Sequence, residues 1–142
     1  MVRRIQKVAV IGSGIMGGGI AALCASAGIP TLLLDIVPFD LKDDEKKDKK
    51  ARNRIVNAGF EALMKAKPAL FMDKDVDSAL ISLGNLEDDF DKLAECDWIV
   101  EVVVENLKIK QDLFARIEKV MKKDAIISVS YTHLTLPTIY SV

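Results

Sequence analysis

Between Val8 and Leu34 the chain carries no charged residue, yet six glycines and Pro30 interrupt the stretch. A spanning or secretory helix would suit the apolar length, the preceding Arg3, Arg4 and Lys7, and the small triplet Ala25-Ser26-Ala27. The glycines argue against that reading, because each costs a helix interior about 1 kcal/mol relative to Ala. They cluster between two apolar runs, so the stretch reads as strand, tight turn, helix and second strand. No membrane association is expected.

In detail, Ile5–Ile11 is an apolar run ending on glycine, as a strand buried on both faces does. Ile15 to Ala27 predicts a helix with Ile20, Leu23, Cys24 and Ala27 on its apolar face and a stop at Gly28. Thr31–Leu34 predicts the next strand, closing on Asp35. The charged run Lys42–Lys50 then opens a helical insertion over about 42–67, with Ile55, Ala58, Ala62 and Ala66 on one face. Its mixed signs suit a solvated surface. Further along, Leu80–Leu83 predicts a short strand, Asp89–Glu95 a brief helix, and Trp98–Val104 a buried strand. Leu113, Phe114, Ile117, Val120 and Met121 mark an amphipathic helix, and Ala125–Ser128 starts a fifth strand. Strands alternating with helices predict an α/β fold with a doubly wound parallel sheet.

The chemistry lies at Gly12-Ser13-Gly14-Ile15-Met16-Gly17, a GxGxxG motif. Three spaced glycines alone say little. Here they follow a predicted strand, open a predicted helix and precede an acidic residue, Asp35, that closes the next strand, as the Rossmann dinucleotide fingerprint requires. Gly12 would permit the turn, Gly14 the approach of a pyrophosphate, and Gly17 close helix packing. Amides at the helix start hold such an anion without any lysine. Asp35 would accept from the ribose hydroxyls and repel a 2′-phosphate, and Ile36 and Val37 offer no cation to offset this, so NAD is expected rather than NADP. The bland alternative is a close helix crossing with Asp35 capping a turn. Glu101 lies within a valine-rich strand, and Glu105 and Asn106 just beyond it could face the nicotinamide half, with Lys110 a turn later. Those three could equally start, cap and solvate the next helix.

Composition narrows the partners. Lys plus Arg number 20 against 21 Asp plus Glu, a net charge of -1, so no basic field exists to bind nucleic acid. Cys24 and Cys96 have neither metal-ligand spacing nor an activating histidine nearby; no metal site and a reducing, cytoplasmic setting are expected. His133, the single histidine, has no nearby carboxylate to orient it, and no catalytic residue is assigned.

The segments KVAVIGSGIMGGGIAALCASAGIPTLLLDIVP, GNLEDD and DWIVEVVVENLKIKQDLF resemble the 3-hydroxyacyl-CoA dehydrogenase family, above all its bacterial multidomain fatty-acid oxidation members. The resemblance covers about residues 5 to 127 and implies an NAD-binding Rossmann domain, with NAD carried by residues 12–17, Asp35, Glu105 and Lys110. It also implies oxidation of an L-3-hydroxyacyl-CoA to the 3-ketoacyl-CoA in β-oxidation, and an insertion lying against the acyl-CoA. The family then continues into a Ser-Asn-Thr-Ser segment, a catalytic His and Glu, and a helical domain on which its oligomers depend. This chain instead has Ser128-Val129-Ser130-Tyr131 and a tail without charged residues. The expectation is a Rossmann domain over 1–127, incomplete at its C-terminus and inactive alone, with 128–142 foreign to the fold. A stand-alone NAD-binding or sensing module, or another NAD or FAD oxidoreductase sharing the fingerprint, are the alternative functions.

Overall fold

The computed structural model describes residues 5–38, 40–65, 77–102 and 107–129; for residues 107–110 and 129 the backbone alone is described. Five parallel strands, β1 (Val8–Ile11), β2 (Thr31–Asp35), β3 (Ile81–Asn85), β4 (Trp98–Glu101) and β5 (Ile126–Val129), form one sheet in the order β3-β2-β1-β4-β5. The order turns back between β1 and β4, which places a crevice beyond their carboxyl ends. β1 is buried along its whole length, as its unbroken apolar run requires.

Helix α1 (Ile15–Ser26) and helix α3 (Arg54–Met64) cover one face through Ala21, Ala22, Cys24, Ala25, Val56 and Leu63. On the other face lie a 3₁₀ turn, Phe90–Glu95, and helix α4 (Leu107–Val120), whose Phe90, Leu93, Leu113 and Ile117 pack on Ala9, Ile11, Leu32 and Leu34. A short helix α2 (Lys49–Arg52) leads into α3. Arg52 bonds Glu87 and Asp88, while the fully buried Asn85 donates to Asn53 at 2.7 Å, so the insertion is tied to the end of β3.

Several expectations are corrected here. Of the face expected on α1, Cys24 is buried and Ile20 packs against the core, but Leu23 is 70% exposed and Ala27 is exposed; the other inward residues are Gly17, Gly18, Ala21, Ala22 and Ala25, whose small size lets the helix lie close to the sheet. In α3 Ala58 and Ala62 are exposed, and Val56 and Leu63 point inward, because burying the larger side chains removes more apolar surface from water. β5 runs to Val129, with Ser128 opposite Val100, so the expected boundary after residue 127 falls inside a strand. Val103 and Val104, expected in β4, Pro68 and residues 130–142 lie outside the described residues. Among the described residues no helix is long and apolar enough to cross a membrane.

Candidate functional site

At the end of β1 the backbone turns a corner in which two glycines flank the buried Ser13. Both ladders of β1 run on by one bond: Gly12 N–H donates to the Leu34 carbonyl at 2.7 Å, and Val102 N–H donates to the Ile11 carbonyl at 2.8 Å. Gly12 itself has φ +113°, a conformation that side chains resist, and a Cβ there would lie 2.8 Å from the Val102 carbonyl oxygen. A Cβ on Gly17 would run into the Gly12 carbonyl oxygen and come within 2.9 Å of a Val102 methyl. These two glycines are required by the fold.

Gly14 differs. A Cβ on it would meet no atom within 4 Å, so nothing in the chain demands glycine there. It is the N-cap of α1, in extended conformation, and no side chain caps the helix. The first helical amide pairing inside α1 is Gly18 N–H to Gly14 at 2.8 Å. The amides ahead of it, on Ile15, Met16 and Gly17, have no intrahelical acceptor by the geometry of a helix start, and they carry the positive end of its dipole. The side chains of Ile15 and Met16 are 97% and 55% exposed, so at these motif positions the backbone is what a ligand could use.

Asp35 ends β2 on the same edge, one step beyond the Ile11–Leu34 register pair. Its Oδ2 accepts Ser13 N–H at 2.8 Å and Ser13 Oγ–H at 2.5 Å, and its Oδ1 accepts Ile36 N–H at 2.7 Å. The motif loop and the acidic residue are thus one bonded unit. Sequence reading placed both at the site without anticipating the bond between them. It also missed Gly59: a Cβ there would lie 2.6 Å from Ser13 Oγ, so α3 rests directly on the motif loop. An isolated glycine inside a helical pattern was the available signal.

Of the remaining expected residues, Glu105 lies outside the described residues, and Lys110 belongs to α4 with its side chain outside them. Glu101 is buried opposite Ile11 and is not without a partner. Both cysteines are buried free thiols; burial pushes Cys24 up and Cys96 up to about 11, which keeps the latter protonated at neutral pH. Among the described residues no group of His, Cys, Asp or Glu could hold a metal ion.

A glycine-rich corner beneath an uncapped helix start, with a carboxylate at the neighbouring strand end, is dinucleotide geometry, and comparison of the sequence identifies its kind. The family profile for the NAD binding domain of 3-hydroxyacyl-CoA dehydrogenases matches residues 7–142. The chain belongs to the 3-hydroxyacyl-CoA dehydrogenase family. Its Rossmann unit is that family's NAD-binding domain. A probable 3-hydroxyacyl-CoA dehydrogenase of Deinococcus radiodurans is 52% identical over 125 residues, 88% of this chain and 34% of that protein. One of Bacillus subtilis is 48% identical over 134 residues, 90% of this chain and 17% of that protein. The chain therefore spans about a third or less of these relatives. The dehydrogenase part of multifunctional enzyme 1 from C. elegans superposes with a TM-score of 0.63 at 26% identity, over 94% of this chain and 28% of that one. A 3-hydroxybutyryl-CoA dehydrogenase from Escherichia coli shares the fold, with a TM-score of 0.68 at 23% identity over 94% of this chain and 26% of that one.

Proposed function

We propose that this chain is the NAD-holding part of an L-3-hydroxyacyl-CoA dehydrogenase of fatty-acid β-oxidation. The observation that carries the reading is Gly14, a glycine the fold does not need, set where a diphosphate would meet the amides of α1. Gly12, Ser13, Gly14, Ile15, Met16 and Gly17 would hold the pyrophosphate through their backbone, and Asp35 the adenosine ribose. Glu105 and Lys110 would lie toward the nicotinamide. Bound there, NAD supplies the acceptor for a hydride from the 3-hydroxyl carbon. The negative charge of Asp35 disfavours a 2′-phosphate, hence NAD over NADP.

The 3-hydroxyacyl-CoA substrate follows from the relatives' names, and a 42% identical protein of Rickettsia felis, a putative fatty acid oxidation complex trifunctional enzyme, supports the pathway and a multidomain setting. Two free cysteines agree with a cytoplasmic location. Oxidation also needs a base for the hydroxyl proton, which the assigned residues do not include, so the 142 residues are expected to bind cofactor without turnover. Calorimetric titration tests the reading: the chain should bind NAD, and Gly14→Val should abolish that binding while leaving the circular dichroism spectrum intact. NAD affinity unchanged in Gly14→Val would remove the site from this corner. Turnover of acetoacetyl-CoA with NADH by the chain alone would show instead that it supplies its own base.

A further inference from the structure

The hydroxyl of Ser13 stands between two elements. Its Oγ is 2.5 Å from Asp35 Oδ2 and 3.4 Å from the carbonyl oxygen of Ile55 on α3. Ser13 is 5% exposed, so bulk water has little access to this hydroxyl. A carboxylate offers about four lone-pair directions. Ser13 N–H and O–H fill Oδ2, and Ile36 N–H takes one direction of Oδ1. What remains for a ligand is Oδ1.

Resting on the NAD site proposed above, we infer that Ser13 is a positioning residue that locks Oδ2 of Asp35, so that Oδ1 faces the ribose and the charge is held against a 2′-phosphate. The terminal torsion of an aspartate is broad and roughly two-fold, so a carboxylate with only amide donors can turn. Ser13 anchors it through a buried hydroxyl. α3 in turn holds Ser13: a Cβ on Gly59 would lie 2.7 Å from Ser13 Cβ, and glycine at 59 is what lets the helix seat against the loop. The second motif position thereby becomes a determinant of cofactor choice, although its buried side chain is bonded to the carboxylate.

A double-mutant cycle on the 142-residue chain tests this, with NAD and NADP titrated separately by calorimetry. Ser13→Ala should weaken NAD about tenfold, the scale of one hydrogen bond to a charged group. It should weaken NADP less, so the preference for NAD narrows. Ser13→Gly, which also lacks the hydroxyl, should give the same two shifts. In an Asp35→Ala background neither Ser13 variant should change affinity further. Additive losses, or a preference that stays as in the unmodified chain, overturn the positioning role. Asp35→Ala binding NAD as tightly as the parent is a separate outcome, which refutes the ribose contact itself.

Discussion

Asp97 stands at the amino edge of the sheet, immediately before β4, and Asp35 at the carboxyl edge, at the end of β2. Both collect backbone amides. Asp97 accepts Gln6 N–H at 2.9 Å and Lys7 N–H at 3.2 Å, and also the ammonium of Lys122 at 2.9 Å. Its backbone adds bonds to Lys7 and from Ile126, so a single residue joins the starts of β1, β4 and β5. Asp35 accepts from two amides and a hydroxyl, all neutral, and among the described residues no ion pair reaches it. A carboxylate matched by an ammonium serves the fold. One held by neutral donors is fixed in place with its charge still available to a ligand, which is what discrimination between two nucleotides requires.

The largest test of this contrast lies within the carboxyl edge. Gly17→Ala forces a methyl into the Gly12 carbonyl and should cost about 3 kcal/mol in urea unfolding. Gly14→Ala should cost below about 1 kcal/mol. Equal losses would mean that the open face at Gly14 is not open.

Next comes acid. The Lys122 ammonium, followed by the amide of Gln6, holds the Asp97 carboxyl below its ordinary value of 3.8. A group with a lowered folded pKa stabilises fully above its unfolded value and loses that contribution as pH falls through the folded one. Thermal melts should therefore show Asp97→Asn about 1 kcal/mol less stable than the parent at pH 6, with the gap closing below pH 4. A gap that does not narrow at all as the pH is taken from 4 down to about 2 would place the effect in geometry and not in charge. Asp35→Asn is the counterpart: a smaller change in stability and a larger one in tolerance of NADP, read by paired titration. If Asp35→Asn leaves that preference untouched, the two edges do not differ in the way argued.

The smallest effect concerns the insertion. Arg52→Ala breaks exposed pairs to Glu87 and Asp88 and should lower Tm only slightly, by an amount that high salt erases. A large, salt-independent fall would show that these pairs carry the seating of α3 on the motif loop.

Much of the architecture was legible because it is written locally. The apolar runs around Val8–Ile11 and Thr31–Leu34 and the glycines between them define strand, corner and helix within one short stretch. The inward face of α1 was legible only at Ile20 and Cys24 and was missed at Leu23, since a helix of small residues has almost no periodic contrast between its sides. In α3 the alanines offered one regular face, and the few large residues, offering another, took the core. The brief helix expected at Asp89–Glu95 forms as a 3₁₀ turn, Phe90–Glu95, with Phe90 and Leu93 buried against the sheet.

From the amino-acid order alone came the succession of elements, the corner at residues 12–17 and the acidic residue that closes β2, because turns and apolar runs follow from neighbours along the chain. Only the tertiary structure decided that Ser13 binds Asp35, that Gly59 carries α3 onto the motif loop, and that Asp97 gathers three strand starts. These depend on residues 22 to 91 positions apart, whose meeting is set by how the elements stack and not by any local preference.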